Sequence, residues 1–231
     1  MEIAITHLTR MQRGYICVAG LDVKTGAHVR PVLKGRLPSN LLRQQGGPFQ
    51  IGALVDLGEV KHVASPPEVE DYLFDVSKAR RIKRLDSKEF WKILSSGAER
   101  NLARIFGRHL EAQGNGAAIE EGKGSASLGC LSVEEATLEV NPWQKIRMEF
   151  SSGELNVDLS VTDVRLVKSD FETPNQKIIE IAQQKLAKQG PAIVCVGLTR
   201  AWTKPGDDRR RHWLQVNNIH FSDDPLGLDF E

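Results

Sequence analysis

Apolar positions in this chain fall mostly in short blocks or in strict alternation, which is the pattern of strands, and only a few stretches show helical spacing. Residues 3–9 read as a strand, 10–14 as a tight turn, and 15–21 as a second strand whose near-continuous apolar run predicts burial on both faces. Residues 22–26 turn the chain, with Thr25 and Gly26 as the pivot, into a third strand at 28–32, so the chain opens as a meander. A polar, turn-rich stretch follows, in which Leu37-Pro38-Ser39 is placed to cap a short helix reaching Gln45. Residues 51–63 predict a further strand, bent or bulged at Gly52 and Gly58. Ser65-Pro66-Pro67 stops it, and residues 68–74 are ambiguous.

Helical spacing appears over 86–110. Asp86 stands as a cap with Glu89 at capping-box distance, Phe90, Ile93 and Leu94 share a face, and Leu102, Ile105 and Phe106 repeat the spacing after Gly97. Residues 111–127 hold four glycines and no large apolar residue except Ile119, which predicts a linker or mobile loop. Strands resume at Leu128. Residues 145–150 and 155–161 alternate with period two around Ser151-Ser152-Gly153, a hairpin with one wet and one dry face. Thr173-Pro174 predicts a helix start with an apolar stripe of Ile178, Ile181, Ala182 and Leu186, ended by Gly190-Pro191. Strands at 192–200 and 212–221 close the chain around a long charged turn.

The regular strand–helix alternation of parallel βαβ layers is absent, so the fold class is mainly β with inserted helices. Two small antiparallel barrels, or a pair sharing a sheet, fit best, since a five-stranded Greek-key barrel tolerates one helix in each half. The expected organisation is an N-terminal barrel with a helical insert (residues 1–110), the glycine-rich join (111–127) and a C-terminal barrel with one helix (128–231).

Several stretches carry a family resemblance over most of the chain. ITHLTRM followed by GYICVAGLD and HVRPV, then PPEVEDYLF, IRMEFSSGELNVDLSVTDVRL, VGLTRAW and HWLQVNNIHF together resemble the bacterial dual OB-containing domain family. The resemblance implies two oligonucleotide/oligosaccharide-binding-type barrels and, by analogy of fold, a nucleic-acid or nucleotide ligand; fold by itself does not establish function.

Charge changes the picture little. Lysine and arginine number 31 against 30 acids, so no global field draws the protein to nucleic acid, and any basic function depends on local clustering. The cysteines Cys17, Cys130 and Cys195 are odd in number, far apart and without a CxxC pair, which predicts reduced, mostly buried thiols and no zinc or disulfide framework. The opening residues lack a signal-peptide pattern, and no segment approaches the roughly 20 apolar residues that span a bilayer. A cytoplasmic protein without a membrane partner is expected.

Three groups are candidates for chemistry. Leu8-Thr9-Arg10 and Leu198-Thr199-Arg200 each follow an apolar strand and open a turn, which places Arg10 and Arg200 at barrel mouths as forks for phosphate or, alternatively, against local carboxylates. Arg30, with Lys34 and Arg36, extends a basic groove from Arg10 or simply meets water. The terminal hairpin joins Arg200, Trp202, Arg209, Arg210, Arg211 and Trp213, the mixture of cations and indoles that single-stranded nucleic acid uses; Asp207 and Asp208 beside them point to a self-neutralised turn instead. A further basic run, 78–84, supplies phosphate affinity or is solvated.

Catalysis has little support. Glu59-Val60-Lys61 matches the ExK of metal-dependent nucleases, but Glu121-Gly122-Lys123 matches equally, and no Walker, HExxH or GxSxG motif occurs. His7, His28, His62, His109, His212 and His220 show no ligand spacing, so neither a metal nor another cofactor is predicted, and a metal site would rest on tertiary proximity alone. The leading expectation is a non-catalytic module that binds nucleic acid, with single-stranded DNA or RNA favoured. The alternative is a nucleotide or small-molecule sensor docking a partner protein, and the third is a nuclease using Glu59 and Lys61.

Overall fold

The computed structural model describes residues 1–228. The first half contains β1 (Glu2–Arg10), β2 (Tyr15–Asp22), β3 (His28–Val32), β4 (Leu37–Pro38), β5 (Ala53–Asp56), β6 (Val60–His62), β7 (Asp71–Phe74) and β8 (Arg80–Arg84). These form one eight-stranded sheet in the order β6-β7-β3-β2-β1-β5-β8, with β4 on β2. The opening meander stands as the apolar pattern requires. The strand expected over 51–63 divides into β5 and β6, because Gly58 adopts φ 70° and its N–H donates to Asp56 Oδ1 at 2.9 Å, a turn rather than a bulge. The short helix expected before Gln45 is two single 3₁₀ turns, Ser39–Leu41 and Arg43–Gln45.

α1 (Ser87–Ser96) opens on the capping box that Asp86 and Glu89 predict: Glu89 N donates to Asp86 Oδ1 at 2.8 Å and Asp86 N to Glu89 Oε2 at 3.3 Å. It ends at Gly97, so the helix expected to reach residue 110 is instead α1, the short β9 (Ala98–Glu99) and α2 (Leu102–Phe106). β10 (Glu111–Gln113) and β11 (Gly116–Glu120) form a hairpin where the glycines predict a linker, and β11 pairs antiparallel with the last strand. Then come β12 (Leu128–Val133), β13 (Ala136–Val140), β14 (Ile146–Ser152), β15 (Leu155–Ser160), α3 (Gln176–Ala187), β16 (Ala192–Leu198), β17 (Trp202–Thr203) and β18 (Arg210–Phe221). α3 begins after Asn175 and not at Thr173, because the Thr173 hydroxyl donates to Asp170 and Pro174 lies in an extended bridge with Val167.

The fold is mainly β with inserted helices, but the two closed barrels expected are not formed. The first sheet curls, helped by irregularities in β1 between Ile5 and His7 and in β5 between Leu54 and Val55, yet β6 and β8 remain at opposite ends of its path. The second half divides into a seven-stranded sheet, β10-β11-β18-β16-β12-β9 with β17 on β18, and a three-stranded sheet, β13-β14-β15. A single parallel bridge, Val161 to Val216, joins them.

The halves interlock. Cys130, Ile193 and Cys195 sit in the core built around Ile3, Ile5, Phe49 and Phe90, while Leu102 and Phe106 of the helical insert enter the core of the second half. The buried Asn218 side chain accepts from Leu8 N at 2.7 Å and donates to Leu8 O at 3.2 Å. A buried amide left without partners costs about 1–3 kcal/mol, so these two bonds hold β18 in register against β1. Asp163, in the SVTDVR stretch, accepts from Arg165 N, Nε and Nη2 at 3.0, 3.0 and 2.8 Å, and from Ile219 N at 3.3 Å. Its role is structural: it orients Arg165, whose Nη2 donates to Ile219 O at 2.8 Å.

Candidate functional site

A groove of about 1070 Å³ runs along the seam between the halves. Its walls are the turn after β1, the end of β3 and the loop beyond it, the start of β14, the turn after β15, the 170–172 loop and the end of β16. Its charged lining is Arg10, Arg13, Arg30, Arg36, Lys145 and Arg200, against Asp170 and Glu172. The tripeptide repeat thus has spatial meaning. Arg10 and Arg200 lie in the same groove with Arg30 and Arg36, whereas Lys34 is not part of its lining.

Each of the three central arginines is anchored on one side. Arg30 is 4% exposed; its Nε donates to Asp71 at 2.5 Å, and its buried Nη2 has no hydrogen-bond partner among the described residues. Arg200 donates from Nη2 to Asp71 at 2.7 Å and pairs through Nη1 with Glu68 at 3.0 Å, although over half of its side chain remains exposed. Burial opposes the Arg200 charge, but Asp71 and Glu68 outweigh it and raise the pKa. Arg10 donates from Nη1 to Phe171 O at 3.2 Å, and its buried Nε lacks a partner. Burial lowers the Arg10 pKa, with Glu172 and Asp170 pulling the other way. Arg200 thus presents an exposed guanidinium with donors to spare, whereas Arg10 shares the groove with Asp170 and Glu172.

PPEVEDYLF supplies the anchors. Asp71 and Glu68 are buried, and Glu70 accepts from Ser127 N, Ser127 Oγ and Leu128 N at 2.8, 2.7 and 3.2 Å, tying this segment to the start of β12. The ambiguous stretch 68–74 is therefore an acidic strap behind the arginines. Cys17 also lines the groove, its thiol pushed up by burial.

Of the terminal hairpin, Arg200 lies in that lining, whereas Trp202, Arg209, Arg210, Arg211 and Trp213 do not. Arg209 faces Asp208 at 3.8 Å, Arg210 pairs with Glu121 at 2.6 Å, and Arg211 pairs with Asp207 at 2.9 Å. Trp202 and Trp213 meet each other with ring centroids 6.0 Å apart, and Lys204 sits over Trp213 at 5.1 Å. The basic run 78–84 contains the exposed edge strand β8, where Arg80 pairs with Asp56 at 3.2 Å and Lys83 with Glu89 at 2.9 Å. Charge on an edge strand discourages sheet-to-sheet pairing. Glu59 and Lys61 are exposed at the opposite edge, away from the groove lining.

Sequence reasoning missed Arg13, Lys145 and Trp143. Trp143 is 78% exposed, two residues before Lys145 in the turn between β13 and β14. An indole inside the polar turn Asn141-Pro142-Trp143-Gln144-Lys145, where no core can receive it, was the available signal.

Outside the groove lining, His7, His28 and Cys130 come together. Burial holds the His7 imidazole well below its ordinary pKa, and the charges of His28 and His220 add to this. Contact with Cys195 draws the Cys130 thiol down, with His28 acting in the same sense and burial opposing.

Fold and site define a mainly β protein whose two interlocked halves enclose a basic seam. Residues 1–219 match the model of the dual OB-containing domain, and the chain belongs to that family. No curated protein matches the chain. Among solved structures, an Ifi202 HINa domain in complex with 20-bp dsDNA aligns at TM-score 0.37 and 9% identity, covering 94% of this chain and 90% of that one. A murine DNA-binding protein bound to dsDNA aligns at TM-score 0.29 and 7% identity, covering 94% and 91%. Likenesses this loose carry no weight for fold or ligand here. No helix among the described residues is long and apolar enough to cross a membrane.

Proposed function

We propose that the protein is a non-catalytic binding module that takes a single-stranded nucleic-acid segment along the seam groove. One observation carries this reading: the groove lining holds six cationic side chains against two carboxylates, and Arg200 keeps over half of its side chain exposed there. A phosphate oxygen is the anionic acceptor that matches an exposed guanidinium fork. Arg10, Arg30, Arg200 and Lys145 would neutralise phosphates, while Trp143, exposed two residues before Lys145, offers a face to a base. Such stacking is worth about 1–3 kcal/mol per base, so Trp143→Ala is expected to weaken binding by about tenfold.

Fluorescence anisotropy with single-stranded DNA and RNA oligomers, at low and moderate salt, tests the reading. Affinity should fall steeply with salt as counterions are released. No binding at low salt rejects it. A second reading, a nucleotide-sized ligand with a partner protein docked elsewhere, draws on the groove's volume, which lies near the upper end for small-molecule sites. Saturable thermal stabilisation by a mononucleotide, with none by oligomers, would select it.

A further inference from the structure

We propose that His7, His28 and Cys130 form a structural zinc site, with Cys195, which lies against Cys130 and donates to Thr6 O, able to complete the shell by turning its thiol inward. Each of the three offers a ligand atom, and those atoms lie within 4.8 Å of one another. The Cys130 Sγ is 3.7 Å from His28 Nε2 and 3.7 Å from Cys195 Sγ. Tetrahedral zinc, with Zn–S near 2.3 Å and Zn–N near 2.0–2.1 Å, separates its ligand atoms by about 3.4–3.8 Å. The two sulfur distances fall in that range before any ion draws the groups inward.

His7 supplies an independent sign. It is 1% exposed, its Nδ1 lies 2.8 Å from Thr6 Oγ1, the Gly129 backbone lies close to its ring, and its Nε2 makes no well-formed hydrogen bond among the described residues. When Nδ1–H donates to the threonine hydroxyl, the lone pair is left on Nε2, the arrangement by which an outer hydrogen bond orients a metal-bound histidine. His28 meets His7 edge to face, with centroids 5.6 Å apart. Two imidazoles and a thiolate are a donor set that suits zinc.

The ligands come from four separate places: β1, the first residue of β3, β12 and β16, where Cys130 and Cys195 are directly paired across the sheet. No spacing in the sequence reveals them. An ion here would staple the first sheet to the second at the seam. His28 stands two residues before Arg30, and β16 ends two residues before Arg200, so the staple would also fix the groove's floor. The site does not depend on what the groove binds.

The test is metal uptake by the reduced full-length protein after chelator treatment. One zinc per chain is expected. Cobalt in its place should give a thiolate-to-cobalt charge-transfer band and the intense visible bands of four-coordinate cobalt. His28→Gln and Cys130→Ala, each shown to be folded by circular dichroism, should lose that signature, while Cys17→Ser keeps it. Absence of the signature in the wild-type protein, or its persistence in folded His28→Gln and Cys130→Ala, overturns the proposal. Should both variants fail to fold, X-ray absorption of the zinc-loaded wild type decides: sulfur with imidazole in the coordination shell supports the site, and a shell of light atoms without sulfur rejects it.

Discussion

Two regions of this molecule use the same residue types with opposite results. The terminal hairpin gathers Arg209, Arg210, Arg211, Trp202 and Trp213 within a few residues, and the seam groove gathers Arg10, Arg30, Arg36 and Arg200 from distant ones. In the hairpin, each arginine reaches an acid at its own level, and the two indoles shelter one another. In the groove, Asp71 and Glu68, outside its lining, hold Arg30 and Arg200, and Arg200 still keeps over half of its side chain exposed. A local cluster neutralises itself because opposite charges close along the chain reach each other at small entropic cost. A cluster assembled by the fold can share its counter-ions, as Arg30 and Arg200 share Asp71, and so leave the lining with more cations than acids. Density of charge in the sequence is therefore a poorer guide to an anion site than the placement of its carboxylates.

The largest effect should come from removing the shared anchor. Asp71→Ala leaves the buried Arg30 without its carboxylate partner, and breaking a buried pair in this way costs about 3–5 kcal/mol. Urea denaturation should show this as a lower midpoint at an unchanged slope. A loss under about 1 kcal/mol would mean that the strap does not hold the groove and that the comparison with the hairpin is unsound.

Next in size is the groove itself. Arg30→Met keeps the volume and leaves Asp71 paired with Arg200, so the fold should persist while oligomer binding falls about 10- to 100-fold, equivalent to about 1.4–2.8 kcal/mol. Arg10→Gln should do less to affinity but lower the salt slope by about one phosphate contact. Equal affinity and slope in the double variant would remove the groove from consideration.

A smaller effect concerns the acidic rim. Donors from the Thr173 hydroxyl and the Glu172 and Thr173 amides hold Asp170 down at about 2, below the ordinary value of 3.8. For a depressed carboxylate, the turn's stabilisation is complete above about pH 4 and is lost as pH falls through about 2. Asp170 therefore stays charged at any working pH, and Asp170→Asn should strengthen anion binding by about twofold. NMR titration of its side chain checks the pKa, and anisotropy checks the affinity. A midpoint near 4 would contradict the turn.

Much of the scaffold was legible before the structure. Period-two alternation and turn residues located the opening meander and the 145–161 hairpin, and Asp86 with Glu89 located the start of α1, because these depend on neighbours in sequence. Legibility failed where tertiary pairing decides: the glycine-rich 111–120 segment becomes a hairpin by adding to β18, and closure into barrels depends on edges that no local pattern encodes. Of the groove, Arg10, Arg30, Arg36 and Arg200 were readable from turn context. Lys145 was not, since a lysine in a hairpin turn is ordinary until the fold brings that turn to the seam.

The smallest expected effect is the sharpest control. Arg209→Ala with Arg210→Ala deletes two positive charges from the most basic turn in the chain, and a purely electrostatic reading of sequence predicts a clear loss of affinity. The structure predicts otherwise. Exposed pairs such as Arg209–Asp208 and Arg210–Glu121 contribute roughly 0–1 kcal/mol to stability, and their removal leaves Asp208 and Glu121 free in water and the groove lining untouched. Stability should move by less than about 0.5 kcal/mol and affinity by less than about twofold at moderate salt, where screening over about 8–10 Å hides distant charge. A tenfold loss that persists at moderate salt would transfer the binding surface to the hairpin, with Trp202 as its stacking face in place of Trp143.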